Sequence, residues 1–159
     1  MMNLRRFVSL AAFTAAGTAA AAAPVDVGVG VGIPRSGMTP LTVSVTAYDG
    51  RVTSAVRFAW RQDVTFGLGS SLTPAVASSL LLALPMQAGA FTVEPFVGAG
   101  LTTVSTGAGG HVAPVALGGV SVLNGSIGGR VEGYAASVGS APRFGASIGL
   151  IVRADGWSR

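Results

Sequence analysis

Hydrophobic and polar positions alternate along most of the chain beyond residue 24, and a period of two marks β-strands whose two faces meet different surroundings. Val25, Val27, Val29, Val31 and Ile33 alternate with Asp26, Gly28, Gly30 and Gly32, and Leu41, Val43, Val45 and Ala47 with Thr42, Ser44 and Thr46. The same period runs through 51–61, 64–69, 91–102, 126–135 and 143–153. Two further segments, 76–86 and 111–123, are apolar on both faces. Asp49-Gly50 and Asn124-Gly125 read as two-residue hairpin turns, because both dipeptides tolerate positive φ. Further breaks fall at Pro34–Thr39, Leu72–Ala75, Gln87–Ala90, Ser105–Gly110 and Gly139–Pro142.

These segments make eight strands plus one doubtful one, and a single-chain bacterial barrel takes an even number. The segment 73–84 is the ambiguous one. Thr73-Pro74 suits a helix start, with Pro at the first helical position, while Leu80-Leu81-Leu82 fits a helix or a strand. Removing it leaves eight strands, with the Asp-Gly and Asn-Gly turns on one rim and the longer loops on the other. Keeping 76–86 as a strand moves the miscount elsewhere. Pro95 and Pro114 fall inside proposed strands, where a missing N–H breaks the ladder, so they are expected at strand starts or bulges.

The composition of the polar face decides what the strands enclose. A soluble sandwich turns its polar faces to water, and these should be rich in Lys, Glu and Asp. Here the polar positions are mostly Gly, Ser, Thr and Ala, with Asp26, Arg57, Arg61, Glu94, Arg130, Glu132, Arg143 and Arg153 among them. Small residues and charges of both signs suit the interior of a narrow barrel, where about eight strands leave room only for side chains. The apolar face then meets lipid, with Phe58, Trp60, Phe66, Phe91 and Phe144 as an aromatic girdle. The chain has no lysine, the residue that commonly guards open sheet edges, which favours a closed sheet. The expectation is an all-β fold, a small antiparallel up-and-down transmembrane β-barrel of eight strands.

Charge and leader sharpen this. Charged residues make up 10% of the 159, against roughly 25% in a typical soluble domain. Residues 1–22 pair Arg5 and Arg6 with an apolar run and small residues, the pattern of an export signal cleaved after Ala22, leaving 23–159 as the barrel domain. Without that leader the chain carries eight arginines against six acids, too few and too scattered for a nucleic-acid footprint. No later stretch is long enough for a spanning helix.

Two short motifs carry a resemblance. Glu94-Pro95-Phe96-Val97-Gly98-Ala99-Gly100-Leu101 looks like a strand common among small outer-membrane β-barrel proteins, and Leu80–Met86 looks like its partner strand. Arg143-Phe144-Gly145-Ala146-Ser147-Ile148-Gly149-Leu150 is similar to the final-strand signal read by barrel-assembly machinery, although the chain ends Trp157-Ser158-Arg159 rather than in an aromatic residue. The resemblance implies location in an outer membrane, with membrane lipid and the assembly machinery as partners, possession of no cofactor, and an envelope-structural role or loop contacts with an envelope protein.

Candidate chemistry is sparse. His111 is the single histidine, and Gly110-His111-Val112-Ala113 lacks the His-x-Ser pair of similarly sized lipid-modifying barrels, so it reads as a loop or strand-end residue. One His and no Cys cannot assemble a metal site. Glu94 and Glu132 could approach each other inside a barrel as a catalytic carboxylate pair, but ion pairing with Arg57, Arg130 or Arg143 is the better reading. Gly28-Val29-Gly30-Val31-Gly32 alternates like a strand and does not make a dinucleotide loop. The expected function is therefore non-enzymatic, with at most a narrow pore. The alternatives are a soluble secreted β-barrel that binds a small apolar ligand and, third, a lipid-modifying enzyme dependent on His111.

Overall fold

The computed structural model describes the backbone of residues 23–33, 39–48, 56–68, 74–106, 109–138 and 141–154, and the side chains of all of these except 104–106, 109–111, 138 and 141. The proposed leader 1–22, the Asp49-Gly50 pair and the terminal Trp157-Ser158-Arg159 lie outside the described residues. Nine strand segments follow one another: β1 Val25–Gly32, β2 Thr39–Tyr48, β3 Arg57–Leu68, β4 Ala75–Ala83, β5 Met86–Ala88, β6 Phe91–Thr106, β7 Gly109–Asn124, β8 Ile127–Val138 and β9 Ala141–Ala154. Each pairs antiparallel with its chain neighbours, except that β4 and the short β5 both pair with β6 and act as one interrupted stave. The first strand pairs with the last, Val25 opposite Ala154 through Gly32 opposite Ser147, so the sheet closes into an eight-stranded up-and-down barrel.

The period of two survives in the burial of the strands. On β1 Asp26 and Gly28 are buried while Val27, Val29 and Val31 are exposed, and on β9 Ile151 and Arg153 are buried between exposed Leu150 and Val152. The polar and small positions face the lumen. The bulky apolar positions face outward, with Leu80 at 70% and Leu150 at 71% exposure. Closure leaves no free edge, which is how a sheet dispenses with charged edge residues.

Several sequence expectations need correction. The segments 51–61 and 64–69 are not two strands: β3 runs unbroken through Arg61, Gln62 and Asp63, and this merger brings nine candidates down to eight staves. The helix considered for 73–84 is strand β4, whose Leu81 and Ala83 face the lumen and whose Leu80 and Leu82 face outward. The register pairs Tyr48 with Ala59, so the chain between β2 and β3 is far longer than a two-residue Asp49-Gly50 turn. At the other dipeptide, Asn124 is the last paired residue, opposite Ile127, and the turn is Gly125-Ser126, with Gly125 at φ 60°. Gly89 opens the β5–β6 turn in the same left-handed conformation, which glycine adopts without steric cost.

The expected asymmetry of loops is also absent. The near rim, where β1 begins and β9 ends, carries the links 49–56, 89–90 and 125–126, and the far rim carries 33–38, 69–74, 107–108 and 139–140. Short and long links occur on both.

Both troublesome prolines sit in strand interiors, each at a point where the neighbouring ladder is already interrupted or ended. Pro95 accepts from the Leu84 amide through its carbonyl at 2.9 Å, so its missing N–H addresses the same neighbour, where Leu84-Pro85 interrupts the β4–β5 stave. Pro114 lies one residue beyond Val115, the last β7 position paired with β8. The proline positions coincide with gaps in the neighbouring ladder.

Candidate functional site in the barrel lumen

Charged side chains from five strands, joined by Tyr48 of a sixth, converge inside the barrel. Near the strand ends at the near rim, Arg153 on β9 faces Asp26 on β1 across the closing joint, with Nε donating to Oδ1 at 2.7 Å and Nη2 to Oδ2 at 2.9 Å. Arg153 Nη2 also donates to Glu94 Oε1 on β6 at 3.0 Å. The Tyr48 hydroxyl on β2 lies 2.8 Å from Asp26 Oδ2 and 2.7 Å from Glu94 Oε1, its one proton shared between the carboxylates, and accepts from Arg153 Nη2 at 3.0 Å. The Arg153 guanidinium stacks over the Tyr48 ring, 4.8 Å from its centroid, an arrangement that stabilises a cation with few waters. Asp26 and Glu94 are each 1% exposed.

A second cluster centres on Arg61 of β3. Its Nε donates to Asp63 Oδ1 at 2.7 Å, and its two terminal nitrogens clasp both Glu132 oxygens from β8. The Ser147 hydroxyl donates to Glu132 Oε1 at 3.0 Å. Arg130 on β8 stands between the clusters. It donates to Ser121 and Ser44, lies 3.7 Å from Asp26 Oδ2, and covers the Phe96 ring. Buried charges persist only where paired and hydrogen-bonded, and these four acids face Arg61, Arg130, Arg153 and the rim residue Arg57. Beside the near-rim cluster, Tyr48, Ala59, Leu81, Ala83 and Phe96 form a buried, largely apolar group.

The eight charged positions singled out in the sequence have different fates. Asp26, Arg61, Glu94, Arg130, Glu132 and Arg153 meet inside the barrel. Arg57 reaches Glu94 only at 3.9 Å, its side chain 38% exposed. Arg143 has inward parity, opposite Ala136, but is exposed towards the far rim, where solvent replaces any need for a counter-ion. Neither glutamate depends on Arg143, and the two glutamates are held by different arginines.

Sequence reasoning missed Asp63 and Tyr48. Asp63 fell in a supposed break between two strands, although its spacing of two from Arg61 carried the signal. Tyr48 adjoined a supposed turn, although it continues the Ser44, Thr46 parity.

The aromatic residues fall into two sets. Phe58, Trp60 and Phe91 lie towards the near rim, and Phe66 and Phe144 towards the far one. Phe58, Phe91 and Phe144 are exposed, whereas Trp60 and Phe66 are half-buried. The Trp60 indole donates to Ser78 Oγ at 2.9 Å, and the Gln62 amide sits 2.7 Å from the same hydroxyl, so these outward polar groups satisfy one another. His111 lies on β7 opposite Val104, beyond the last β7–β8 pair.

Among the described residues the lumen between the two clusters has little free space. A void of ≈ 20 Å³ lies among Gly28, Gly30, Thr42, Ser44, Arg61, Arg130, Glu132, Ser147 and Gly149, room for about one water, which needs roughly 10–15 Å³. Chemically the arrangement holds charges of both signs paired and out of water.

No protein-family model and no curated protein sequence matches the chain. Solved structures do. The outer-membrane enzyme PagL superposes with a TM-score of 0.62 at 13% identity, covering 80% of this chain and 97% of its own. The N-terminal β-barrel domain of Pseudomonas aeruginosa OprF gives 0.56 at 10% identity, covering 82% and 97%. The Yersinia pestis outer membrane protein Ail gives 0.50 at 9% identity, covering 83% and 99%. At these identities the likeness is one of fold: the chain has the architecture of the small outer-membrane β-barrels.

Proposed function

We propose that this chain is a non-enzymatic outer-membrane β-barrel protein that anchors in lipid and acts through envelope support or rim contacts with an envelope partner. One observation carries the reading: an outward surface made mostly of exposed apolar side chains, Val27, Val29, Val31, Leu80, Val97, Ile148 and Leu150 among them, around an interior of paired ions. A soluble protein rarely exposes a contiguous apolar patch beyond a few hundred Å². In a bilayer the same surface is solvated by acyl chains, and a closed barrel satisfies every backbone group. The chain reaches that membrane through its proposed leader and the assembly machinery.

Among the described residues the lumen is largely filled, which supports a role without a wide pore and without a cup for an apolar ligand. The buried carboxylates are saturated by arginine and tyrosine, which supports a structural rather than a catalytic use. His111 has no assigned role in this reading.

Cell fractionation tests it. The protein should sediment with outer membranes, stay there through carbonate and high-salt washes, and migrate differently on gels with and without boiling. Recovery from the periplasm or medium without detergent would refute the membrane reading. An altered lipid profile on expression, abolished by His111→Ala, would refute the non-enzymatic one.

A further inference from the structure

The joint between β1 and β9 differs from every other joint on its lumenal side. Glycines elsewhere inside the barrel face a partner side chain across the ladder: Gly98 faces Leu81, Gly128 faces Leu123 and Gly145 faces Tyr134. Among the described pairs, only Gly30 and Gly149 put glycine opposite glycine on the inner face. Cross-strand side-chain pairs contribute roughly 0.2–1 kcal/mol each, and this level of the joint has none on the inside. The void described above lies directly behind it, bounded by Gly30, Gly149, Thr42, Arg130 and Glu132. At the near-rim end the same joint carries the bidentate Asp26–Arg153 pair, tied into Glu94 across the lumen. The joint is therefore firmly held at one end and bare in the middle.

We propose that the β1–β9 joint is the opening seam of the barrel. It parts from the Gly30–Gly149 level towards the far rim, and the Asp26–Arg153 pair is the stop that limits the parting. An opened seam gives the polar void behind it a transient route through the wall that the packed lumen otherwise denies.

Gly30→Ala provides a gentle probe. A Cβ at position 30 would have the Ile148 carbonyl oxygen as its nearest neighbour, at 3.4 Å, and fits without displacement. Gly149→Ala would bring Cβ to 2.8 Å from Gly30 Cα and cannot serve. The measurement is amide hydrogen exchange by mass spectrometry on the intact protein in detergent micelles, comparing β1 and β9 with the β6–β7 hairpin. Seam amides should exchange about tenfold faster than those of β6–β7, as the least stable cooperative unit does. Gly30→Ala should slow the seam about threefold, the effect of a strand Gly-to-Ala change, and leave β6–β7 unchanged. Asp26→Asn should accelerate the seam first. Equal protection of the two regions in the native protein, unchanged seam rates in Gly30→Ala, or uniform acceleration of all ladders by Asp26→Asn would each overturn the proposal.

Discussion

Asp26 and Arg153 lie 127 positions apart in the chain yet form a two-pronged ion pair across the joint that closes the barrel. The pair exists only when the first and last strands meet in register, so it links closure of the sheet to neutralisation of its interior. Glu94 and Tyr48 bind to the same guanidinium from β6 and β2. One cluster thereby ties four strands together.

Removing one partner should cost more than removing both. Arg153→Met leaves Asp26 and Glu94 buried without their main cation, and breaking a buried pair from one side costs about 3–5 kcal/mol. Asp26→Asn with Arg153→Met should recover part of that loss. Urea unfolding in detergent, followed by the change in gel mobility, gives the comparison.

Tyr48→Phe should destabilise by about 1–3 kcal/mol, the cost of leaving buried hydrogen-bonding groups unmet. The ring that packs under Arg153 remains, so the fold should persist with a lower unfolding midpoint. A midpoint equal to that of the native protein would remove the hydroxyl from the network.

The outer surface can be tested by depth. Leu150 pairs with Val29 and Gly129 in mid-strand, whereas Ile127 begins β8 at the near rim. In a bilayer, Leu150→Arg should cost about 2–4 kcal/mol and Ile127→Arg about 0–1 kcal/mol. Both changes should be nearly neutral if the surface meets water, where exposed substitutions stay within about 0.5 kcal/mol. Folding titrations in lipid vesicles distinguish the two cases.

Gly100→Ala should lower stability in any medium. Its Cβ would fall 2.6 Å from Ser79 Cα, a backbone atom of the neighbouring strand that cannot move aside alone. Overpacking of this kind costs roughly 1–3 kcal/mol. Comparing it with the well-accommodated Gly30→Ala separates close strand approach from any general intolerance of glycine replacement.

Much of this architecture was legible in the order of residues. Val25 to Ile33 and Phe144 to Val152 announce which side chains share a face, because a strand offers no other periodicity. The clustering of acids and arginines among glycine and serine on the opposite face indicates a crowded interior. Legibility ended where a strand's alternation was obscured or its partner was remote. Arg61, Gln62 and Asp63 put three polar residues in succession in the middle of β3, a run that resembles a break and that pairing with β2 and β4 carries through. Leu80-Leu81-Leu82 is apolar at every step, so nothing local distinguishes helix from strand. Pro95 and Pro114 looked like defects because the gaps that accommodate them belong to other strands.

The sequence by itself determined that the chain is all-β and that its two faces differ, because alternation and composition are local properties. Tertiary structure alone decided which segments make up the eight staves, that Arg153 takes Asp26 and Glu94 while Arg61 takes Glu132 and Asp63, and that Arg143 remains in solvent. Those outcomes follow from register across the barrel, and register is set by the simultaneous fit of all the strands.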